Sequence, residues 1–182
     1  MPNLLAGDLD DGLVLTPAAW RDAFWWTPGQ AASIDALIAS LQQRHDIDSR
    51  RVFLIGVSDG GAGALYQAMV QTHPIAGVIS LIGHPGVLYQ QRSARAAAPD
   101  FAQMAAVPLL MINGASDRLM PTASLEPWLE ELRSMNAPFH SYIQPGMGHE
   151  LALDDEARSL IRGFLSNPRG QTAIMPGAQN NN

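Results

Sequence analysis

Short apolar runs alternate along this chain with segments whose apolar residues recur at helical spacing. Three runs, Arg51–Gly56, Gly77–Ile82 and Val107–Asn113, are almost continuously apolar, as strands buried on both faces of a sheet are. Helical segments lie around them, for example from about Gln30 to Arg44, where the apolar positions 34, 37, 38 and 41 share one face. This alternation predicts an α/β fold, a mostly parallel sheet with helices on both faces.

Other segments follow the same two patterns less completely. Further helices are predicted at about 61–71, 124–135 and 154–165, and further strands at 12–16 and 138–143. The strand Gly12–Thr16 is short and is ended by Pro17, and the Arg- and Ala-rich stretch 91–98 fits either a helix or a surface loop. The tail 167–182 is rich in Pro, Gly and Asn, which predicts disorder. We therefore expect a single domain over residues 1–166.

The composition excludes several classes of partner and chemistry. The 182 residues include 11 basic against 17 acidic side chains, a formal net charge of −6 at pH 7, so no nucleic-acid partner is expected. All the basic residues are Arg and there is no Cys, which excludes lysine Schiff bases, thiolate metal sites and cysteine nucleophiles. Since no run of about 18 apolar residues exists, no membrane span is predicted. The N-terminus does not resemble a signal peptide, so a cytoplasmic location is expected.

The strongest motif is Gly56-Val57-Ser58-Asp59-Gly60, which stands where a buried strand ends and a helix begins. This is the G-x-S-x-G pattern of a nucleophile elbow in the strand–turn–helix context that it requires. Such a turn is strained, so the neighbours of the serine must be small, and the following helix directs its N-terminus at the site. The alternative is a glycine-rich turn of an ordinary βα unit.

A serine nucleophile needs a base, and the base needs a carboxylate that orients it. Asp117 follows one predicted strand, and His149 follows another, within the segment Pro145–Glu150. Both therefore lie at the carboxyl ends of strands, where the catalytic residues of parallel sheets are found. Taken alone, Asp117 fits a turn or helix-capping residue, and His149 fits a solvated loop histidine. Together with Ser58, in this order, they predict a catalytic triad.

These segments resemble the α/β-hydrolase superfamily, and most of all its phospholipase/carboxylesterase branch, with dienelactone-hydrolase-like and feruloyl-esterase-like enzymes also similar. The resemblance is carried by the stretches 48–66 (DSRRVFLIGVSDGGAGALY), 75–81 (IAGVISL), 110–121 (LMINGASDRLMP) and 142–149 (YIQPGMGH). It implies that Ser58 is the nucleophile, His149 the general base and Asp117 its orienting carboxylate. It further implies that Asp59, at a position often occupied by Gln, gives a backbone N–H to the oxyanion hole.

The sequence departs from that family ahead of the elbow. Its members usually have three strands and a helix before the segment that begins here at Gly12, and the third strand lies beside the elbow strand. A His-Gly loop after that strand supplies the second oxyanion donor, and the residues before Ser58 contain no such loop. Either the chain is truncated, or Gly12–Thr16 fills the vacant place and the loop Pro17–Trp20 offers a substitute donor.

Three further side chains are candidates for substrate binding. Trp25 and Trp26, together with Trp20, form an aromatic cluster that lines an acyl or aromatic pocket, fills the core, or is a patch left bare by absent strands. His84 follows a strand and either edges the pocket or has a capping or surface role. His149-Glu150 begins a zinc-binding H-E-x-x-H motif, but Leu153 stands at the second His position. No metal and no cofactor are therefore predicted.

The leading functional hypothesis is a serine hydrolase that cleaves carboxylic esters of small molecules through an acyl-enzyme on Ser58. Acyl transfer and peptide hydrolysis use the same triad and stay open. The alternative is a truncated or degenerate hydrolase-like module without turnover, which acts by binding or needs a partner. A homo-oligomer is also left open.

Overall fold

Four parallel strands form the sheet at the centre of the fold. They are β1 (Phe53–Val57), β2 (Gly77–Leu81), β3 (Leu109–Gly114) and β4 (Phe139–Gln144), and they lie side by side in chain order. The computed structural model describes residues 12–19, 24–86 and 101–173. All three strand pairs are parallel, so the carboxyl ends of β1, β3 and β4, which precede the three predicted site residues, share one edge.

Six described helices surround this sheet. They are α1 (Pro28–Arg44), α2 (Asp59–Val70), α3 (Phe101–Ala105), α4 (Glu126–Ser134), α5 (Asp155–Ser166) and α6 (Pro168–Ala173), with 3₁₀ turns at Ser49–Arg51 and Thr122–Ser124. Local signals set their first residues. Pro28, whose fixed φ suits the first helical position, begins α1. The Asp154 carboxylate accepts the Ala157 backbone N–H at 2.8 Å and so caps α5.

The hydrophobic core consists of two clusters, one on each face of the sheet. On one face, Val78 and Met111 pack with residues of α1, α2 and α4. On the other face, Ile79 and Ile112 pack with residues of α5. Strands β2 and β3 are buried throughout, whereas most positions in β1 and β4 are half-buried. The predicted α/β fold, a parallel sheet with helices on both faces, is confirmed.

The predicted strand at Gly12–Thr16 is wrong. Residues 12–19 have no regular structure, and the side chains of Leu13, Val14 and Leu15 are 58%, 52% and 47% exposed. A short apolar run becomes a strand only where a neighbouring edge pairs with it. Among the described residues β1 pairs with β2 alone, so Gly12–Thr16 does not fill the place beside the elbow strand. Trp20 lies outside the described residues.

The predicted disorder of the tail is wrong for its first part, because Pro168–Ala173 forms α6. The signal lies in Asn167, which ends α5 and whose side chain accepts the Gly170 backbone N–H at 3.0 Å. The Asn and Pro of this segment therefore mark a helix start, with Asn167 as the cap and Pro168 as the first helical residue, and do not indicate disorder. The short helix α3 was not predicted, and residues 174–182 and the stretch 91–98 lie outside the described residues.

The two glycines of the elbow motif differ in what surrounds them, which gives a matched stability test. A Cβ added at Gly56 would overlap the Gly60 carbonyl oxygen, whereas one added at Gly60 would meet only a Trp25 ring atom, at 3.9 Å. We expect Gly56→Ala to lower the free energy of unfolding by about 3 kcal/mol or more. Gly60→Ala, inside a helix, should leave it unchanged or raise it by up to about 1 kcal/mol. Urea denaturation of both variants measures this, and equal losses would contradict the close approach at Gly56.

Candidate active site

Ser58 occupies a tight turn between β1 and α2. Its backbone adopts φ 55° and ψ −117°, a conformation that costs a residue with a side chain about 1–3 kcal/mol. The surrounding structure imposes it from both sides. The Ser58 N–H donates to the Leu81 carbonyl at 2.9 Å, and the Ser58 carbonyl accepts the N–H groups of Gly61 and Ala62 at the start of α2. The backbone groups of Ser58 are thereby held in place, and its hydroxyl is directed to His149 at the edge of the sheet.

Glycines also allow α2 to lie close to the ends of the central strands. A Cβ added at Gly61 would lie 2.8 Å from the Ser80 hydroxyl oxygen and 2.9 Å from Gly83 Cα. Gly83 in turn follows β2, and its carbonyl accepts the Asn113 side-chain N–H at 3.1 Å. The first turn of α2 is therefore held against the carboxyl ends of both β2 and β3, which fixes the height of Ser58 above the sheet.

Asp117 lies just after β3 and has a side chain with no exposed surface. Its Oδ1 accepts the backbone N–H groups of Leu119 and Met120, both at 2.9 Å, and its Oδ2 accepts from His149 Nδ1 at 2.8 Å. Burial opposes ionisation, but the hydrogen bonds from His149, Met120 and Leu119 outweigh it and hold the pKa of Asp117 below its usual value. The carboxyl group is therefore ionised at neutral pH.

His149 lies in the loop after β4 and connects the other two residues. Its Nε2 is 2.8 Å from Ser58 Oγ, and its side chain is 25% exposed. Because the ionised Asp117 can only accept at Nδ1, the proton of the neutral imidazole is assigned to Nδ1. Nε2 is then the acceptor, and the Ser58 hydroxyl donates to it. The structure thus brings the three predicted residues into one chain of hydrogen bonds.

Backbone hydrogen bonds join the loop of Asp117 to the loop of His149, and side-chain hydrogen bonds close the His149 loop at its base. The N–H groups of Ala115 and Ser116 donate to the carbonyls of Gln144 and Met147, at 2.9 and 3.0 Å. The buried Gln144 side chain spans the base of the His149 loop: its Nε2 donates to the Ala152 carbonyl at 2.7 Å, and its Oε1 accepts the Asp154 N–H at 3.2 Å. Sequence reasoning missed Gln144, although a polar residue that ends a strand is a usable signal.

Asp59 is the first residue of α2, so its backbone N–H has no acceptor within the helix. This is the N–H predicted to serve an oxyanion, and that role stays a prediction. Its carboxylate faces a different segment: Oδ1 accepts the Trp26 indole N–H at 2.7 Å, and Oδ2 accepts the Trp25 backbone N–H at 3.2 Å. Trp26 also stacks on Phe24, with ring centroids 4.8 Å apart, and packs against the core. These contacts favour the packing role over a pocket lining.

Comparison with known proteins decides the family. The sequence model of the phospholipase/carboxylesterase family matches residues 26–163, more than half of the chain. The chain belongs to this phospholipase/carboxylesterase family.

Solved structures of other proteins share the fold of this chain. SOBER1 from Arabidopsis thaliana is 18% identical with a TM-score of 0.58, over 76% of this chain and 62% of that one. TT1662 from Thermus thermophilus is 22% identical with a TM-score of 0.60, over 81% of this chain and 64% of that one. Esterase PE8 is 20% identical with a TM-score of 0.59, over 84% and 68%. The chain thus spans less than two thirds of the length of SOBER1 and of TT1662. At these levels of identity, the similarity to all three structures is one of fold.

In this member of the phospholipase/carboxylesterase family, hydrogen bonds of His84 connect two loops. Its Nδ1 accepts the Gly86 backbone N–H at 2.9 Å, so the neutral ring carries its proton on Nε2, which donates to Ser124 Oγ at 2.5 Å. Ser124 in turn donates to the Pro121 carbonyl at 2.6 Å. None of these bonds involves Ser58, Asp117 or His149. The contacts favour a structural role for His84, and its predicted place at the pocket edge stays a prediction.

Within residues 12–19, 24–86 and 101–173, no group of three or more His, Asp and Glu side chains is placed to hold a metal ion. In the same ranges no helix combines the length and the apolar character that crossing a membrane requires.

The His84 bridge predicts a pH dependence of stability. Burial lowers the pKa of His84 below the ordinary 6.5, so the unfolded chain binds this proton more readily than the folded protein. Its contribution to stability is complete above about pH 6.5 and is lost as the pH falls from there towards the lower folded pKa. His84→Gln should therefore lose less Tm than wild type between about pH 8 and about pH 5 in thermal melting. The exposed His45→Gln is the control and should keep the wild-type loss, and an equal loss in His84→Gln would contradict the bridge.

Proposed function

We propose that the chain is a serine hydrolase that cleaves carboxylic esters of small molecules through an acyl-enzyme on Ser58. One observation carries the proposal: Ser58 Oγ, His149 Nε2, His149 Nδ1 and Asp117 Oδ2 form a continuous chain with two contacts of 2.8 Å. Membership of the phospholipase/carboxylesterase family supports it. The mechanism needs no metal or organic cofactor, because each proton and each bond can be assigned to these residues and to water.

In the first half of the reaction, Ser58 Oγ attacks the carbonyl carbon of the ester while His149 Nε2 takes the hydroxyl proton. The carbonyl oxygen becomes an oxyanion in a tetrahedral intermediate, and the Asp59 backbone N–H at the positive end of α2 donates to it. When the intermediate collapses, the ester C–O bond breaks and His149 gives its proton to the departing alcohol. The acyl group stays on Ser58.

In the second half, water attacks the acyl carbon and His149 Nε2 takes a proton from it. The second tetrahedral intermediate expels Ser58 Oγ, which recovers its proton from His149, and the carboxylic acid leaves. Asp117 stabilises the imidazolium that forms twice in this cycle. Burial opposes ionisation of Asp117, but the hydrogen bonds from His149, Met120 and Leu119 hold its pKa low, so the carboxylate accepts the hydrogen bond from His149 without taking the proton.

The second candidate function is a hydrolase-like module without turnover, and one observation favours it. No described strand lies on the outer side of β1, which is where the resemblance places the strand that carries the second oxyanion donor. The loss of one such donor typically costs about 10²–10³ in rate. A module of this kind would bind an acyl compound, or would gain activity from a partner that completes the sheet.

Covalent labelling separates the two candidates. We expect a fluorophosphonate to add once to the wild-type chain, with loss of fluoride, because His149 activates Ser58. Intact-mass spectrometry should show one adduct on wild type and on Ser134→Ala, an exposed serine on α4, and none on Ser58→Ala. Gel filtration and a cooperative thermal transition establish that each sample is folded. If the folded wild type takes no adduct, the esterase proposal is refuted and the hydrolase-like module without turnover remains.

A second experiment tests the role of the buried carboxylate. Asp117→Asn keeps an acceptor for Leu119 and Met120 but removes the charge that fixes the His149 tautomer, so kcat for p-nitrophenyl acetate should fall about 10⁴-fold. Asp155→Asn, an exposed carboxylate in the first turn of α5, is the matched control and should hydrolyse the ester at the wild-type rate. A loss of less than about tenfold in Asp117→Asn would contradict the assigned role.

A further inference from the structure

The carboxylate of the residue after the nucleophile bonds to a distant segment of the chain. Asp59 accepts one hydrogen bond on each oxygen, from the Trp26 indole N–H at 2.7 Å and from the Trp25 backbone N–H at 3.2 Å. These donors stand 33 and 34 positions earlier in the sequence, in the turn that precedes α1. We name residues Phe24–Thr27 the tryptophan turn.

The tryptophan turn has its own internal supports. The Thr27 hydroxyl donates to the Phe24 carbonyl at 3.1 Å, and Phe24 stacks on Trp26 with an angle of 17° between the rings. The Thr27 carbonyl accepts the Ala31 N–H at 3.0 Å as α1 begins. Trp26 also packs against the core on the α2 face of the sheet. The indole N–H is therefore held at a fixed place and can act as an anchor for another group.

The turn also lies directly on the first turns of α2. A Cβ added at Gly63 would overlap Trp25 Cβ and would lie 3.1 Å from the Trp25 carbonyl carbon. At Gly60 an added Cβ would be in ordinary contact with the Trp25 ring. Glycine at position 63 is thus required for this close approach. The contact is specific packing between the tryptophan turn and the helix that follows Ser58.

Two anchors consequently stand on either side of one peptide bond. The Ser58 N–H is bonded to the Leu81 carbonyl, and the Asp59 side chain is bonded to the tryptophan turn. The peptide between them carries the Asp59 N–H, the donor assigned to the oxyanion. Ser58 is held in a strained conformation, which persists only where the surroundings determine it. The charge-assisted hydrogen bond from Trp26 is the shorter of the two on Asp59 and therefore the stronger restraint.

We propose that Asp59 and Trp26 are positioning residues for ester hydrolysis, through a hydrogen bond that sets the orientation of the Ser58–Asp59 peptide. Neither side chain touches the substrate in this assignment. The inference rests on the proposed function, since an oriented N–H matters only if an oxyanion forms beside it. Oxyanion donors act on the transition state, so a misplaced donor lowers kcat and leaves KM nearly unchanged.

The test uses Trp26→Phe, which removes the indole N–H and keeps an aromatic ring against Phe24. We expect kcat for p-nitrophenyl acetate to fall about 10- to 100-fold with KM within about twofold, a part of the loss expected when an oxyanion donor is removed outright. Asp59→Ala should lose a similar factor. The double variant should lose no more than the larger single loss, because both changes break one hydrogen bond. Asp59→Asn keeps one acceptor oxygen and should show a smaller loss.

Trp128→Phe is the matched control for lost stability. Trp128 is buried in the core on α4 and is not one of the two donors to Asp59, so this variant should lower Tm and keep the wild-type kcat. The inference is overturned if kcat of Trp26→Phe stays within about twofold of wild type, if Trp128→Phe loses as much, or if the two single losses add in the double variant. A wild type that neither hydrolyses the ester nor takes the fluorophosphonate overturns the proposed function as well. An active wild type with an unaffected Trp26→Phe overturns the positioning role alone.

Discussion

The close contact between the end of β1 and the first turn of α2 is the constraint on which the rest of the site depends. Gly56 lies against the Gly60 carbonyl with no room for a side chain, and Gly61 lies close to Gly83, where an added Cβ would be 2.9 Å from the Gly83 Cα. These contacts force the chain to reverse within one residue, and that residue is Ser58. Its strained backbone is the result, and its hydroxyl stands clear of the sheet where His149 reaches it. The energy of the turn comes from the packing around it.

Three loops each supply one side chain of the site, and electrostatic interactions connect two of these side chains. The carboxyl end of β3 supplies a buried charge that two backbone N–H groups stabilise, and the loop after β4 supplies an imidazole that this charge orients. The two loops are hydrogen-bonded to each other through the backbone of Ala115 and Ser116. Because the acidic and basic partners form one connected unit, their separation does not depend on where Ser58 lies. The elbow has to meet that unit at the correct height, which the glycines of α2 determine.

Most of the fold and the three central residues could be predicted, because they leave local signals. Apolar runs give the strands, helical spacing gives the helices, and Ser58, Asp117 and His149 each follow a strand in the order that the superfamily uses. The wrong predictions concern segments whose structure depends on contacts with other parts of the chain. Gly12–Thr16 has the composition of a strand but no described edge to pair with, and Asn167 caps α6 in a segment whose composition favours disorder. The link from Asp59 to Trp26 joins positions 33 apart, and no spacing rule reveals it.

The three strands that support the site differ in how firmly they are held. Asp117 follows β3, which is buried throughout and paired on both sides, whereas Ser58 follows β1, which is half-buried and has β2 as its described neighbour. Local opening costs least where the fewest buried contacts and hydrogen bonds must break. On warming, the backbone amides of β1 therefore exchange with solvent before those of β3. Opening of β1 moves Ser58 away from His149, so the hydrogen bond between these two side chains is lost at a temperature below that at which the core melts.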